Sequence, residues 1–439
     1  MIVTELQLSH LRAIETAEFN FRAGFNLIVG VNGVGKSTVL DALRICLSRV
    51  LPKMIGVRAR PISFEGTDIR IGFPFVEVAM SLELNGEEFR YSHLEWRDRV
   101  AMDDTKNIEA LRREVLDTDR LRVRPRRLLR ALVNSQGLPD SDNFSPGELE
   151  LRANAQNLPS APLAVHFATN RSVLTTRTVS TSKSAGGKAV AFADALIARS
   201  WNIREFADWL KVQVSLSRER PLAARHVAAL QAAASRFLPG CTGMRPSDAE
   251  NGNLVIEKAG TLLDVRQLSD GERGVLAMVL DLARRLSVAN PGLSDPLQEG
   301  QATVLIDEVD LHLHPKWQRQ IVRNLTAAFP RCQFIATTHS PQVIGEVEHE
   351  RIQIIADGTV YSPPHSFGMD SSQVLEEIME VDPRTQEIAE LLSRISAEIG
   401  QLQFASARLS LTMLVERLGE DDPEVTRLQT LLDFMEGNE

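Results

Sequence analysis

Residues 2 to 30 alternate apolar and polar positions in three short runs, IVTELQLS, ETAEFNF and FNLIVG, which predicts three strands with a Gly-Phe-Asn break before the third. Helical signals begin at Lys36. Residues 73 to 92 alternate again around Asn85-Gly86, a pair that favours a two-residue hairpin turn. From about 93 to 250 the pattern turns helical and charged, interrupted by a Pro/Ser-rich stretch (139 to 162) and a Ser/Thr/Gly/Lys stretch (172 to 188) that read as loop. Strand patterns return at LVIEKAG, ATVLIDEV, CQFIATTH and IQIIADG, with helices expected after Ser269 and after Pro315. Beyond Tyr361, Ile388, Leu391, Leu392, Ile395, Ile399 and Leu402 share one helical face; Gly419 then stops a helix, and Asp422-Pro423 caps the next.

With 439 residues the chain has material for two or three domains, and 43% hydrophobic with 24% charged residues describes a globular protein. Cys46, Cys241 and Cys332 are too scattered for a disulfide framework or a zinc site. The start of the chain lacks a signal-peptide pattern and no apolar run reaches 18 residues, so a cytoplasmic protein without a membrane anchor is expected. The net charge of −9 is unevenly divided. Residues 340 to 439 hold 20 acids and 6 bases, which leaves the rest at +5.

Four segments carry chemistry. Gly30-Val31-Asn32-Gly33-Val34-Gly35-Lys36-Ser37 fits GxxxxGK[ST], placed between an apolar strand and a helix. Its glycines free backbone NH groups to face phosphate oxygens at the positive helix end, within reach of Lys36, and Ser37 can ligate Mg²⁺. Thr303 to Glu308 is a buried-type strand ending in two carboxylates: Asp307 can sit near a metal shell and Glu308 can orient water. Alone, such a run more often enters a solvated turn. Leu268-Ser269-Asp270-Gly271-Glu272-Arg273 opens a helix, which an N-cap at Ser269 would explain completely. Ala336-Thr337-Thr338-His339-Ser340 places an imidazole after a strand.

In this order, GVNGVGKST, LSDGER, VLIDEVDLHLHP and IATTHSP resemble the Walker A, signature, Walker B with D-loop, and H-loop of ABC-type ATPases, specifically the SMC/RecF-like branch. The resemblance implies an α/β ABC-type P-loop ATPase head with a split core, an inserted helical arm and a C-terminal helical extension. The expected divisions are 1–92 (Walker A lobe), 93–254 (helical insertion), 255–362 (signature, Walker B and H-loop lobe) and 363–439 (acidic helical extension). It also implies ATP and Mg²⁺ as cofactors. Asn32, Gly33, Gly35, Lys36, Ser37 and Thr38 would cradle ATP, with Ser37 and Asp307 on the metal. Ser269, Gly271 and Glu272 would meet ATP held by a second, head-to-tail copy. Glu308 would be the catalytic base, His339 the γ-phosphate sensor, Asp310 the D-loop residue and Arg12 a basic residue near the phosphates. Glu272 stands where a typical signature has Gln, and no Q-loop glutamine is evident at 50 to 75. His312-x-His314 lacks an adjacent third ligand, so a strand-to-helix turn is the expected reading.

Phe367 to Leu375, the acidic helices after it, and VHFATNRSV with Asn170 and Arg171 resemble the stand-alone ATPases of prokaryotic anti-phage systems, the Septu PtuA-like and retron-associated proteins. That resemblance implies an ATPase subunit, a homodimer or higher homo-oligomer, controlling a separate HNH-type nuclease of the PtuB kind. The last 75 or so residues read as helix without a DxD pair, so no intrinsic nuclease is expected. Residues 120 to 130 hold six arginines and no acid, which suits non-specific nucleic-acid contact through phosphates but also a solvated face. A RecF-type DNA-repair ATPase and an ATP-binding scaffold with negligible turnover stand as alternatives.

Overall fold

The first three strands do not share one sheet. Ile2–Leu11 and Ile14–Asn20 pair antiparallel, whereas Phe25–Gly30 joins a parallel sheet. Their burial explains the parting: Ile14–Asn20 is buried only at Ile14 and Phe19, but Phe25–Gly30 is buried at its first five residues, as a central parallel strand covered on both faces must be. The chain is seen in a computed structural model that describes residues 1–56, 61–73, 75–96, 141–145, 147–175, 189–192, 194–197, 201–247 and 253–437. Two compact units divide it, Met1–Gly368 and Met369–Glu439.

In the first unit the parallel sheet has the strand order Thr359–Tyr361, Ile352–Ala356, Phe25–Gly30, Gln333–Thr337, Ala302–Ile306, Leu163–Phe167, with Thr359–Tyr361 antiparallel to its neighbour. Register places Ile28 opposite Thr337, Ala336 opposite Ile306 and Ile306 opposite Phe167. The carboxyl ends of four strands therefore meet at one edge, the edge at which parallel α/β sheets bind ligands. A second, antiparallel sheet runs Ile14–Asn20, Ile2–Leu11, Phe75–Leu84, Glu87–Trp96, Ser141–Ser145. Its central hairpin turns at Asn85 (φ 52°) and Gly86 (φ 82°), both positive as a type I′ turn requires. Helix Lys36–Ile55 lies within the core that both sheets share: Val39, Leu43 and Leu47 belong to one apolar cluster with Leu6, Val78 and Met80 of the antiparallel sheet and with Ile28, Leu305 and Ile335 of the parallel one.

The stretch expected as a helical insertion contributes to both sheets. Leu163–Phe167 forms the edge strand beside Ala302–Ile306, and Ser141–Ser145 extends the antiparallel sheet. LAVHF is too short for its period to distinguish strand from helix, and its pairing is decided by burial against the neighbouring strand. Helices Ile203–Ser217 and Pro221–Phe237 and a three-stranded sheet, Cys241–Pro246, Leu254–Lys258 and Thr261–Asp264, complete this region. The arginine run 120–130 and the stretch 176–188 lie outside the described residues.

The second unit holds helices Gln386–Gly400, Phe404–Leu418 and Pro423–Gly437 around a separate apolar cluster that includes Ile388, Leu391, Ile395 and Ile399. Leu402 does not join its predicted face: it lies past the helix end, at φ 60°, and is 54% exposed. Gly419 ends the second helix at φ 87°, and the Asp422 carboxylate accepts from the Glu424 amide at 2.9 Å as the third begins. Among the described residues no helix is long and apolar enough to cross a membrane.

Candidate functional site

The loop after Phe25–Gly30 opens directly into helix Lys36–Ile55. Gly35 has φ 109°, a left-handed conformation that a side chain would strain, and from it the chain enters the helix whose N-terminus is suited to an anion. Lys36 is 8% exposed and donates through Nζ to the carbonyls of Gly30 (2.8 Å) and Val31 (2.9 Å). Burial lowers its pKa, opposed by the nearby Asp307, Glu308 and Asp310 carboxylates. Together Asn32, Gly33, Gly35, Lys36, Ser37, Thr38, Asp307, Glu308, Thr337 and His339 line a cleft of about 210 Å³.

The two acids are fixed from the neighbouring strand. Thr337, fully buried at the end of Gln333–Thr337, donates from Oγ1 to Asp307 Oδ1 at 2.7 Å and accepts from the Glu308 amide at 2.7 Å. The Val309 amide donates to the Thr337 carbonyl at 2.9 Å. Asp307 also accepts from Ser37 Oγ at 3.1 and 3.2 Å on its two oxygens. A hydroxyl and a carboxylate this close, beside Lys36, form an all-oxygen pair of the kind that Mg²⁺ prefers.

The segment Ser269–Glu272 stands apart, since none of its residues lines that cleft. Ser269 caps helix Asp270–Ala289, accepting from the Glu272 amide (3.4 Å) while its own amide donates to Glu272 Oε2 (3.0 Å), a reciprocal capping box. Burial raises the Glu272 pKa, but hydrogen bonds from Lys258 and Ser269 outweigh it and hold the carboxyl below its ordinary range. Gly271 is required by a close approach: a Cβ there would lie 2.3 Å from the His312 carbonyl oxygen.

Arg12 reaches the first turn of helix Lys36–Ile55 at Thr38, donating to its Oγ1 at 3.3 Å, and is held by Asp41 (2.9 Å) and Asp68 (2.8 Å). Asp310 lies outside the cleft lining and accepts from Thr338 Oγ1 at 2.6 Å. His314 caps helix Pro315–Ala328 by accepting from the Lys316 amide through Nδ1 at 3.2 Å, the strand-to-helix turn expected for LHLHP. In the region searched for a Q-loop, Phe64 and Ile69 are buried in the core while Ile71 is exposed, and residues 57–60 and 74 lie outside the described residues. The segment that runs beside Asp307 is Ala168–Ser172, where the buried Arg171 donates to the Asp307 and Glu308 carbonyls. Only its likeness to a family segment marked Arg171 in the sequence; its contacts depend on a strand pairing that no local pattern announces.

A phosphate-loop cleft at the carboxyl edge of a parallel sheet, with two acids and a histidine on the facing strands, defines the class of P-loop ATPase heads. The chain belongs to the family described as "AAA domain, putative AbiEii toxin, Type IV TA system", whose model matches residues 25–345. It is 26% identical to "Retron Ec83 probable ATPase" of Escherichia coli over 490 aligned residues, spanning 97% of this chain and 86% of that protein. It is 22% identical to "Septu protein PtuA" of Bacillus thuringiensis over 400 residues, spanning 87% of this chain and 85% of that one. Among solved structures it is similar to an SMC head bound to the C-winged helix domain of ScpA, with a TM-score of 0.47 and 14% identity over 82% of this chain and 97% of that one.

The close approach at Gly271 separates two glycines of the same helix. Gly271→Ala should lower stability by about 1–3 kcal/mol, the usual range for overpacking against backbone. Gly274→Ala, whose Cβ would meet Ser172 Cβ at an ordinary 3.6 Å, should be neutral or stabilise by up to about 1 kcal/mol. Thermal melts of the two variants check this; equal melting temperatures would contradict it.

Proposed function

We propose that the chain is the ATP-binding and ATP-hydrolysing subunit of an anti-phage defence complex, in which two copies close head to tail over nucleotide and the nucleotide state controls a separate nuclease subunit. The observation that carries this reading is the division of the site. Lys36, Ser37, Asp307, Glu308 and His339 converge on one cleft, while the capped helix start at Ser269 and Gly271 lies outside it. A helix N-terminus is suited to an anion, and a second copy can bring one to this cleft.

In this reading Lys36 and the loop amides bind the β and γ phosphates, leaving the carbonyls of Gly30 and Val31 as the lysine's resting partners. Ser37 and Asp307 would hold Mg²⁺, which when bound offsets charge developing on the phosphates. Glu308 takes the proton of the attacking water, and His339 contacts the γ-phosphate from the adjacent strand end. ATP bridging two copies favours the closed arrangement because it contacts more groups there than in either copy alone.

The likeness to retron and Septu ATPases supports placing the chain in a defence system, and the charge division supports two kinds of partner. The second unit, Met369–Glu439, holds sixteen acids and five bases, which suits protein contacts with other copies or with an HNH-type nuclease. The arginine run 120–130 suits nucleic-acid phosphates.

Lys36→Ala should abolish nucleotide binding, and Glu308→Gln should keep binding while lowering turnover by about 10²–10⁴-fold. Fluorescent-nucleotide titration and phosphate release measure the two effects; wild-type turnover in both variants would refute the site. Duplex binding should weaken steeply with salt and lose that dependence when the six arginines of 120–130 are replaced by glutamine. Binding indifferent to salt would rule out the phosphate contact.

A further inference from the structure

Arg171 has no part in the chemistry above, yet it is 6% exposed and lies against both acids' backbone. It sits in the short turn Thr169–Ser172 that follows the edge strand Leu163–Phe167. Its Nη1 donates to the Asp307 carbonyl at 2.6 Å and, at 3.3 Å, to Ala168; its Nη2 donates to the Glu308 carbonyl at 2.5 Å. Burial lowers its pKa to about 10, opposed by Asp310, Asp307 and Glu308, so the fork is charged at neutral pH. Glu308 is held at φ 48°, in the left-handed region, a conformation that is unfavourable for a non-glycine residue and persists only where neighbours enforce it. The arginine's stem carries a second contact: a Cβ at Gly274 would be 3.9 Å from Arg171 Cγ, so helix Asp270–Ala289, whose start is Ser269, packs against the same side chain.

We propose that Arg171 is a positioning residue: its planar fork clamps the Asp307–Glu308 peptide so that the Glu308 carboxylate stays aimed into the cleft, and its stem joins that clamp to the helix bearing Ser269 and Gly271. The catalytic half of the proposal rests on the reading of Glu308 as the base. A lysine keeps the charge but has no rigid fork to span two carbonyls, so charge and geometry separate in Arg171→Lys.

The test compares wild type, Arg171→Lys, Arg171→Ala and Glu308→Gln by amide hydrogen exchange in a peptide spanning 307–309 and by steady-state ATP hydrolysis. Cooperative melting establishes that each variant is folded, and Arg171→Lys decides if Arg171→Ala is not. Exchange at 307–309 should quicken by at least about tenfold in the Arg171 variants, since local opening is what the clamp resists. The kcat should fall about tenfold in Arg171→Lys and about a hundredfold in Arg171→Ala, with KM and nucleotide affinity within about threefold. Unchanged exchange in folded variants overturns the clamp. Faster exchange with an unchanged kcat, or a loss of affinity in place of kcat, overturns the positioning role. If wild type itself does not hydrolyse ATP, the reading of Glu308 fails separately, and exchange alone decides the clamp.

Discussion

Parallel pairing of strands from distant parts of the chain is the constraint on which the site depends. Phe25–Gly30, Gln333–Thr337 and Ala302–Ile306 lie side by side in register, and so the phosphate loop, Thr337 and the Asp307-Glu308 pair emerge at the same edge. Within that edge the Thr337 hydroxyl does the fine placement, since its one proton goes to Asp307 and its lone pair receives the Glu308 amide. A valine at 337 would keep the strand and its burial but leave an acid and an amide without their shared partner, and buried groups so orphaned are costly.

Charge is handled differently in the two halves of the candidate site. At the cleft, Lys36, Asp307 and Glu308 are gathered close together, and Lys36 is buried at a depth that lowers its own pKa. At the start of helix Asp270–Ala289, Glu272 is paired with Lys258 and held by the Ser269 cap, and the exposed Asp270 is paired with Arg273. Gly271 serves this arrangement through its missing side chain, which admits the His312 carbonyl.

Much of the fold was legible because it rests on local signals. Asn85-Gly86 favours a two-residue hairpin turn, FNLIVG reads as a strand leading into the phosphate loop, and Ser269 and Pro315 mark helix starts by their own chemistry. The glycine spacing before Lys36 likewise announced a loop whose position the sheet then supplied. What remained hidden depends on long-range pairing. LAVHF reads as nothing in particular until Ala302–Ile306 is beside it, and only then does Arg171 arrive under the two acids. Leu402 failed in the opposite sense, since it keeps the helical spacing of its neighbours after the helix has ended. The reason for Gly271 was also out of reach, because the oxygen that excludes a side chain lies 41 positions along the chain, at His312.

The central claim is that the cleft is half of a composite site, completed by the Ser269–Gly271 segment of a second copy. Co-expressing a chain carrying Lys36→Ala with one carrying Ser269→Arg tests it directly, because each chain alone has a defect in every site. In a mixed pair one site combines an intact loop with an intact helix start. Hydrolysis by the mixture should then recover to about a quarter of wild type, the share expected when half the pairs are mixed and each has one good site. A mixture as inactive as its parts would contradict the account.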